Sequence, residues 1–210
     1  MMKKEEVNFI KDLYRERILV YGQKPEALGW PRNDQNLRFE RLTKVWNLNN
    51  LKIVDYGCGF GDLYSYLCKC DIDFEYLGLD ISPEMIKEAN ELNPEAKFDV
   101  LSNPLDELPE CDVVFACGTH ALKLEDNQKF IKDSFELFKK SAKLGFGVTF
   151  LSTHSDIKHK KNYYSDPEFI LNHSYTLSKR ILLDNMFMPF EFSVFVDFRE
   201  DLKNLSYRYF

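Results

Sequence analysis

The sequence predicts an α/β protein built on a doubly wound, mostly parallel sheet of seven strands. Five short segments rich in apolar and β-branched residues alternate with helical or irregular connections, which is typical of parallel strands covered on both faces. A glycine-rich turn joins the first strand directly to a helix, and two more strand segments follow at the end without a helix between them. The 210 residues are enough for a full core, and we expect a single domain over residues 1–210.

The helices and strands are assigned from the spacing of apolar residues. Predicted helices at 5–20 and 35–46, separated by a loop at 21–33, make residues 1–50 a helical cap over a core formed by residues 51–200. The predicted strands lie at 51–54, 74–79, 97–101, 112–116, 145–151, 179–183 and 191–198. The remaining predicted helices follow Gly61 and Ser82 and occupy 126–141 and 167–175.

The first strand runs into a glycine loop that is suited to binding a cofactor. Asp55 lies at the strand end, and Gly57, Gly59 and Gly61 follow with the spacing G-x-G-x-G. Glycines let the backbone turn sharply and approach a ligand closely, and the helix behind them offers free N–H groups. Nicotinamide enzymes favour G-x-G-x-x-G with a pyrophosphate at the helix end. The Asp55 carboxylate would repel a pyrophosphate, but not a cofactor that carries an ammonium and a sulfonium group.

This acid followed by G-x-G-x-G resembles the signature of the class I S-adenosylmethionine-dependent methyltransferases. The resemblance covers about residues 51–200. It implies a Rossmann-like methyltransferase sheet with an antiparallel edge hairpin, S-adenosylmethionine as the cofactor and S-adenosylhomocysteine as its product. A Gly-Trp pair at 29–30, Gln-x-x-Arg-Phe at 35–39 and Tyr-Tyr-x-Asp-Pro at 163–167 are similar to a subgroup of small bacterial methyltransferases with unassigned substrates.

The predicted cofactor site lies at the ends of the first four strands. Asp80 ends the second strand about twenty residues past the glycine loop, where a doubly wound fold holds a ribose by its hydroxyl groups. Ile81 and Met85 would then contact the adenine, and the resemblance implies that Asn103 accepts a hydrogen bond from the adenine amino group. The full predicted set is Asp55, Gly57, Cys58, Gly59, Asp80, Ile81, Met85, Asn103, Pro104, Ala116 and Cys117.

Two histidines that follow strand ends are candidate general bases. His120 follows the fourth strand and His154 follows the fifth, and imidazole titrates near neutral pH. His120 could equally shape the pocket without moving a proton. The sequence lacks the N-methyltransferase motif at this position, an acid or Asn followed by Pro-Pro and an aromatic residue, which favours O-methylation.

Residues outside the cofactor set are candidates for binding the methyl acceptor, namely Trp30, Arg38, Tyr163 and Tyr164. The Arg38 guanidinium could bind the methionine carboxylate or an anionic substrate, or it could be an exposed helix residue. The basic run at 158–161 beside the predicted site could bind a phosphate or carboxylate. A solvated basic loop is the favoured interpretation of that run.

Composition excludes several classes of protein. The formal net charge of -6 argues against a nucleic-acid binder, because such proteins usually have a basic face. No segment approaches the roughly 18 apolar residues of a membrane span. Five cysteines without a C-x-x-C pair indicate free thiols in a reducing cytoplasm, and the four histidines lack metal-ligand spacing, so we predict no metal.

These observations predict a cytoplasmic enzyme that transfers a methyl group from S-adenosylmethionine, in line, to an oxygen of a small molecule or sugar. Two alternatives belong to other classes. One is an NAD-dependent oxidoreductase, which the glycine spacing disfavours. The other is a non-catalytic S-adenosylmethionine-binding protein that has the same pocket.

Overall fold

The computed structural model describes residues 1–29 and 34–199. It contains a sheet of seven strands in the order β3-β2-β1-β4-β5-β7-β6. The strands are β1 (Leu51–Tyr56), β2 (Phe74–Asp80), β3 (Lys97–Val100), β4 (Cys111–Ala116), β5 (Ala142–Leu151), β6 (Arg180–Asp184) and β7 (Glu191–Asp197). The helices are α1 (Lys4–Tyr21), α2 (Gln35–Leu42), α3 (Asp62–Leu67), α4 (Pro83–Leu92), α5 (Asn127–Ser141) and α6 (Pro167–Tyr175), and a 3₁₀ turn spans Pro25–Leu28.

The strand order confirms the predicted doubly wound, mostly parallel sheet. β1 pairs in parallel with β2 on one side and with β4 on the other. β7 runs antiparallel between β5 and β6, so the two closing strands form the expected antiparallel pair. The chain winds outward from β1 to β3 and then returns to β4 on the opposite side of β1. The carboxyl ends of β1 and β4 therefore flank a switch point, where open α/β sheets bind ligands.

Both faces of the sheet are buried. On one face, Phe135 and Phe138 of α5 pack against Phe146 of β5. On the other face, Trp46 packs against Phe115 of β4 in a second core cluster. Burying each such side chain stabilises the fold by roughly 1.5–3 kcal/mol. Burial on both sides explains why the β4 sequence is apolar almost throughout.

The two N-terminal helices contact different parts of the chain. α1 packs against α4 and the 3₁₀ turn, whereas α2 packs against α3 and β5. The predicted helix at 35–46 ends four residues early, at Leu42, where the Thr43 hydroxyl donates a 2.8 Å hydrogen bond to the Phe39 carbonyl. In the described ranges, none of the helices combines the length and apolar character needed to cross a membrane.

Candidate active site

A cleft opens at the carboxyl ends of β1, β2 and β4, beneath α1 and α2. The empty space within it, including the open mouth, is about 970 Å³. The N-terminal helices contribute Ile10, Tyr14, Gln35 and Phe39 to its lining. The connection after β4 contributes Cys117, Gly118, Thr119, Leu122 and Leu124. The switch point predicted from the sheet order is therefore a real concavity, and most of its wall is apolar.

The backbone of the glycine loop forms one side of the cleft. The N–H groups of Gly57 and Cys58 both donate to the Leu79 carbonyl, at 2.7 and 3.1 Å. Gly57 has a φ of 75°, and a Cβ atom there would lie 2.5 Å from the Thr119 Oγ1 atom. Because this conformation and this spacing both exclude a side chain, only glycine fits at position 57.

Asp80 is fixed by the loops on either side of it. Its Oδ2 atom accepts a 3.1 Å hydrogen bond from the Gly59 N–H, and its Oδ1 atom accepts a 2.9 Å bond from the Ser82 N–H. An ionised carboxylate has about four lone-pair sites, so each oxygen keeps one for a hydroxyl group of a ligand. Burial raises the pKa of Asp80, and the backbone donors oppose that rise.

Asp55 lies at the floor of the cleft and is only 3% exposed. The Tyr76 hydroxyl donates a 2.7 Å hydrogen bond to its Oδ2 atom. Burial raises the pKa of Asp55 to about 7, although the Tyr76 bond acts in the opposite direction. A cation bound beside this group would favour its ionised form.

The cleft has an acidic character. Asp55 and Asp80 both line it. Asp62 lies near them and accepts a 2.8 Å hydrogen bond from Gln35, itself a lining residue. Among the described residues that line the cleft, none is Lys, Arg or His. This charge distribution favours a cationic ligand and disfavours a pyrophosphate.

The cleft brings together most of the predicted cofactor set. The members that line it are Asp55, Gly57, Cys58, Gly59, Asp80, Ile81, Met85, Pro104 and Cys117. Asn103 is the first correction, because its side chain accepts from the Met2 N–H at 3.1 Å and donates to the Met2 carbonyl at 2.8 Å. Ala116 is the second, because it is fully buried in the core cluster of the sheet and only the next residue, Cys117, reaches the cleft.

A comparison with known families decides the class of this protein. Residues 53–141 match the profile of a family described as a methyltransferase domain. The matched stretch extends from β1 to the end of α5 and contains both the glycine loop and Asp80. The chain therefore contains a domain of the methyltransferase type over these residues.

Relatives of this methyltransferase carry similar names. A Mycobacterium tuberculosis protein named as a methyltransferase is 29% identical over 124 residues, which cover 55% of this chain and 73% of that protein. The malonyl-[acyl-carrier protein] O-methyltransferase of Buchnera aphidicola is 26% identical over 178 residues, which cover 80% of this chain and 70% of that protein. The structure of magnesium protoporphyrin IX methyltransferase from Synechocystis, with bound S-adenosylmethionine, shares the fold with a TM-score of 0.68 at 16% identity, over 94% of this chain and 99% of that chain.

The two histidines predicted as bases lie outside the cleft of the methyltransferase. The His120 ring is 2% exposed and lies 5.1 Å from the Phe130 ring and 5.4 Å from the Phe150 ring, measured between centroids. Burial lowers the pKa of His120 to about 3. His154 is exposed on the turn after β5. This geometry does not support a role as general base for either residue, because neither lines the cleft.

Arg38, predicted to bind a carboxylate of the cofactor or substrate, instead pairs with a carboxylate of the chain. Its Nε and Nη2 atoms donate to the two oxygens of Glu191 at 2.7 and 2.6 Å, and both side chains are buried. Glu191, at the start of β7, therefore occupies the side of the guanidinium group that was predicted to bind a ligand. The pair joins α2 to the sheet beside the cleft.

The other predicted acceptor residues are not part of the described cleft. Tyr163 packs against the core cluster of α5 and β5. The Tyr164 hydroxyl accepts a 2.9 Å hydrogen bond from the His159 N–H. Trp30 lies outside the described residues. The cleft also has lining residues that are not in any of the predicted sets.

Those additional lining residues are apolar, and all but the one from α5 come from the segments that connect the α-helices and strands. They are Leu28, Leu101, Leu122, Leu124 and Phe130. Leu122 and Leu124 alternate with the exposed Lys123 just after a strand end, and this alternation is the signal that could have identified them. Within the described part of the chain, no group of three or more His, Cys, Asp or Glu residues is arranged to hold a metal ion.

Proposed function

We propose that this methyltransferase transfers a methyl group from S-adenosylmethionine to an oxygen atom of a small-molecule acceptor. The observation that carries the proposal is the pair of buried carboxyl groups, Asp55 and Asp80, at neighbouring strand ends of one cleft. Asp80 keeps acceptor sites for the two ribose hydroxyls, and Asp55 supplies a negative charge for the methionine ammonium. Bound S-adenosylmethionine would supply a methyl group on a sulfonium, and the neutral thioether of S-adenosylhomocysteine would be the leaving group.

The residues of the chain would act mainly by orienting the reactants and excluding water. Asp80 is held by two backbone N–H groups, so it can fix the ribose without moving. Tyr14 and Ile10 of α1 cover the cleft from above, and Leu122 and Phe130 close its side. An acceptor held among these apolar groups would meet the methyl group away from bulk water.

An oxygen acceptor is supported by the name of one relative, the O-methyltransferase of Buchnera aphidicola. The relatives differ in the acceptors that they are named for, a malonyl-[acyl-carrier protein] in one case and magnesium protoporphyrin IX in another. Among the described lining residues there is no histidine to remove a proton. We therefore favour a hydroxyl that ionises readily in water, such as a phenol, over a sugar hydroxyl.

The test is transfer of a radiolabelled methyl group from S-adenosylmethionine to matched panels of phenols and sugars. The proposal expects label on phenols, and it expects Asp80→Asn to abolish labelling. Label on sugars alone would overturn the acceptor class. Tight binding of S-adenosylhomocysteine with no label on any compound would favour the non-catalytic binding protein instead.

A further inference from the structure

We infer that Thr149 of β5, which is not among the described lining residues, is a positioning residue for the bound cofactor. Its hydroxyl fixes the backbone of residues 117–119 so that the Cys117 carbonyl oxygen faces the side of Asp55. That oxygen then accepts a hydrogen bond from the methionine ammonium of S-adenosylmethionine. The inference rests on the proposed function and extends it to a buried residue outside the predicted sets.

A side-chain hydrogen bond extends the contact of β4 and β5 beyond the end of β4. The last registered pair of these strands is Ala116 with Val148. Just past that pair, the Gly118 N–H donates a 2.9 Å hydrogen bond to the Thr149 Oγ1 atom. The same hydroxyl donates to the Cys117 Sγ atom at 3.8 Å. The Thr149 hydroxyl therefore holds the chain at the point where β4 runs into the cleft.

This bond determines which way the preceding carbonyl group points. β4 lies between β1 and β5, and the Gly118 N–H points towards β5 because it donates to Thr149. The peptide bonds of the described residues are all trans, and the C=O and N–H groups of a trans peptide point in opposite directions. The Cys117 carbonyl oxygen therefore points towards β1.

The β1 side of this segment is the side that holds Asp55. Asp55 pairs in register with Phe115 of β4, so Cys117 lies two residues further along the same edge of the sheet. Asp55 and Cys117 both line the cleft. An ammonium group beside the Asp55 carboxylate has three N–H donors, and the Cys117 carbonyl oxygen supplies an acceptor for one of them.

A second hydroxyl group holds the other end of the segment. The Thr119 Oγ1 atom donates a 2.9 Å hydrogen bond to the Tyr56 carbonyl at the end of β1. Gly118 lies between the two anchored residues and has a φ of 75°, a conformation that glycine adopts at little cost. The segment is thus tied to β5 and to β1 and turns between them, so its peptide groups keep one orientation.

The surroundings of Thr149 show which change would remove this bond alone. Thr149 is 2% exposed, and its neighbours along β5, Val148 and Phe150, are buried apolar residues. Valine has nearly the shape of threonine but lacks the hydroxyl group. Thr149→Val would therefore keep most of the packing and leave the Gly118 N–H without its acceptor. The Cys117 carbonyl would then no longer be held towards Asp55.

The experiment is calorimetric titration of S-adenosylhomocysteine into the wild type, Thr149→Val and Thr149→Ser. The same proteins are then titrated with methylthioadenosine, a nucleoside thioether that keeps the adenine and ribose but lacks the amino-acid end. Thr176→Val is the matched control, because the Thr176 hydroxyl also bonds to a backbone group, the His173 carbonyl at 2.7 Å, but at the exposed end of α6. Should valine disturb the fold, Thr149→Ala compared with Thr149→Ser gives the same contrast.

The inference expects Thr149→Val to bind S-adenosylhomocysteine at least about tenfold more weakly than the wild type, because a hydrogen bond to a charged group is lost. It expects Thr149→Ser and Thr176→Val to bind S-adenosylhomocysteine as the wild type does. It also expects all of these proteins to bind methylthioadenosine equally, since that ligand has no ammonium group.

Three results would overturn the inference. Thr149→Val could bind S-adenosylhomocysteine as tightly as the wild type, or Thr149→Ser could bind it as weakly as Thr149→Val. Equal weakening of both ligands in Thr149→Val would show that Thr149 supports only the fold. Failure of S-adenosylhomocysteine to bind the wild type would instead overturn the proposed function, so the two failures are distinguishable.

Discussion

The Tyr76 hydroxyl donates a 2.7 Å hydrogen bond to the Asp55 carboxylate, and this bond joins β2 to β1 at the floor of the cleft. Both side chains are buried. Since burial raises the pKa of Asp55 to about 7, this acid is partly protonated at neutral pH when no cation lies beside it. A cation bound beside Asp55 would therefore shift this acid towards its ionised form.

The first prediction concerns the pH dependence of stability without ligand. The pKa of Asp55 rises from 3.8 to about 7 on folding, so the folded state binds the proton more tightly. Its contribution to the free energy of unfolding is complete below pH 4 and is lost as the pH rises through 7. Asp55→Asn keeps an acceptor for the Tyr76 hydroxyl. It removes the fall in the free energy of unfolding with rising pH, which is up to about 4 kcal/mol. Urea unfolding of both proteins from pH 4 to 8 measures the effect, and parallel curves would contradict it.

The second prediction concerns the close contact at Gly57. Gly57→Ala places a Cβ atom 2.5 Å from Thr119 Oγ1 in a backbone with a φ of 75°. Gly22→Ala is the matched control, because Gly22 also has a positive φ, 61°, but no atom lies within 4 Å of the added Cβ. We expect both variants to lose about 1–2 kcal/mol from backbone strain, and Gly57→Ala to lose about 1–3 kcal/mol more from overpacking. If the two variants have the same unfolding temperature, the Thr119 side chain moves aside without a measurable loss of stability.

The third prediction concerns the buried ion pair of Arg38 and Glu191. Arg38→Met leaves the Glu191 carboxylate buried without its guanidinium, and removing one partner of a buried pair costs about 3–5 kcal/mol. The double variant Arg38→Met with Glu191→Met should recover part of that loss, because no charge is then buried there. Urea unfolding of the single and double variants measures the coupling. A double variant less stable than Arg38→Met would mean that the pair is not the main interaction of Glu191.

The fourth prediction concerns His120. Burial lowers the pKa of His120 to about 3. The unfolded state therefore binds a proton below pH 6.5, whereas the folded state binds it only near pH 3. Stability from this residue is present above pH 6.5 and is lost as the pH falls towards 3. His120→Phe should therefore unfold at lower pH than the wild type, while His154→Phe, at an exposed position, should not differ. We also expect His120→Phe to retain methyl transfer. If the variant binds the cofactor normally but no longer transfers a methyl group, the His120 ring does take part in the reaction.

Local patterns in the sequence predicted the parts of the site that neighbouring residues determine. Strand periodicity and the glycine spacing placed the loop, Asp55 and Asp80, and the structure brings all of them into one cleft. The partner of Arg38 is 153 positions away, and the partner of Asn103 is 101 positions away. Such pairs depend on how the chain folds back, and no local pattern reveals them.

The histidines show a second limit of the sequence. The rule that ligands bind at strand ends predicts where the backbone of His120 lies, and Thr119 and Leu122 on either side of it do line the cleft. The direction of the His120 side chain depends on where Phe130 and Phe150 leave space. That space is set by packing between α5 and β5, which a single sequence does not encode in its local spacing.

The most direct test of the account is calorimetric titration of S-adenosylhomocysteine into the wild type, Asp80→Asn and Asp99→Asn. Asp99 is exposed on the edge strand β3, so its variant controls for the same chemical change outside the cleft. The account predicts equal binding by the wild type and Asp99→Asn, and binding at least about tenfold weaker by Asp80→Asn, which loses an acceptor for a ribose hydroxyl. Unchanged affinity in Asp80→Asn, or binding of NADH in place of S-adenosylhomocysteine, would contradict it.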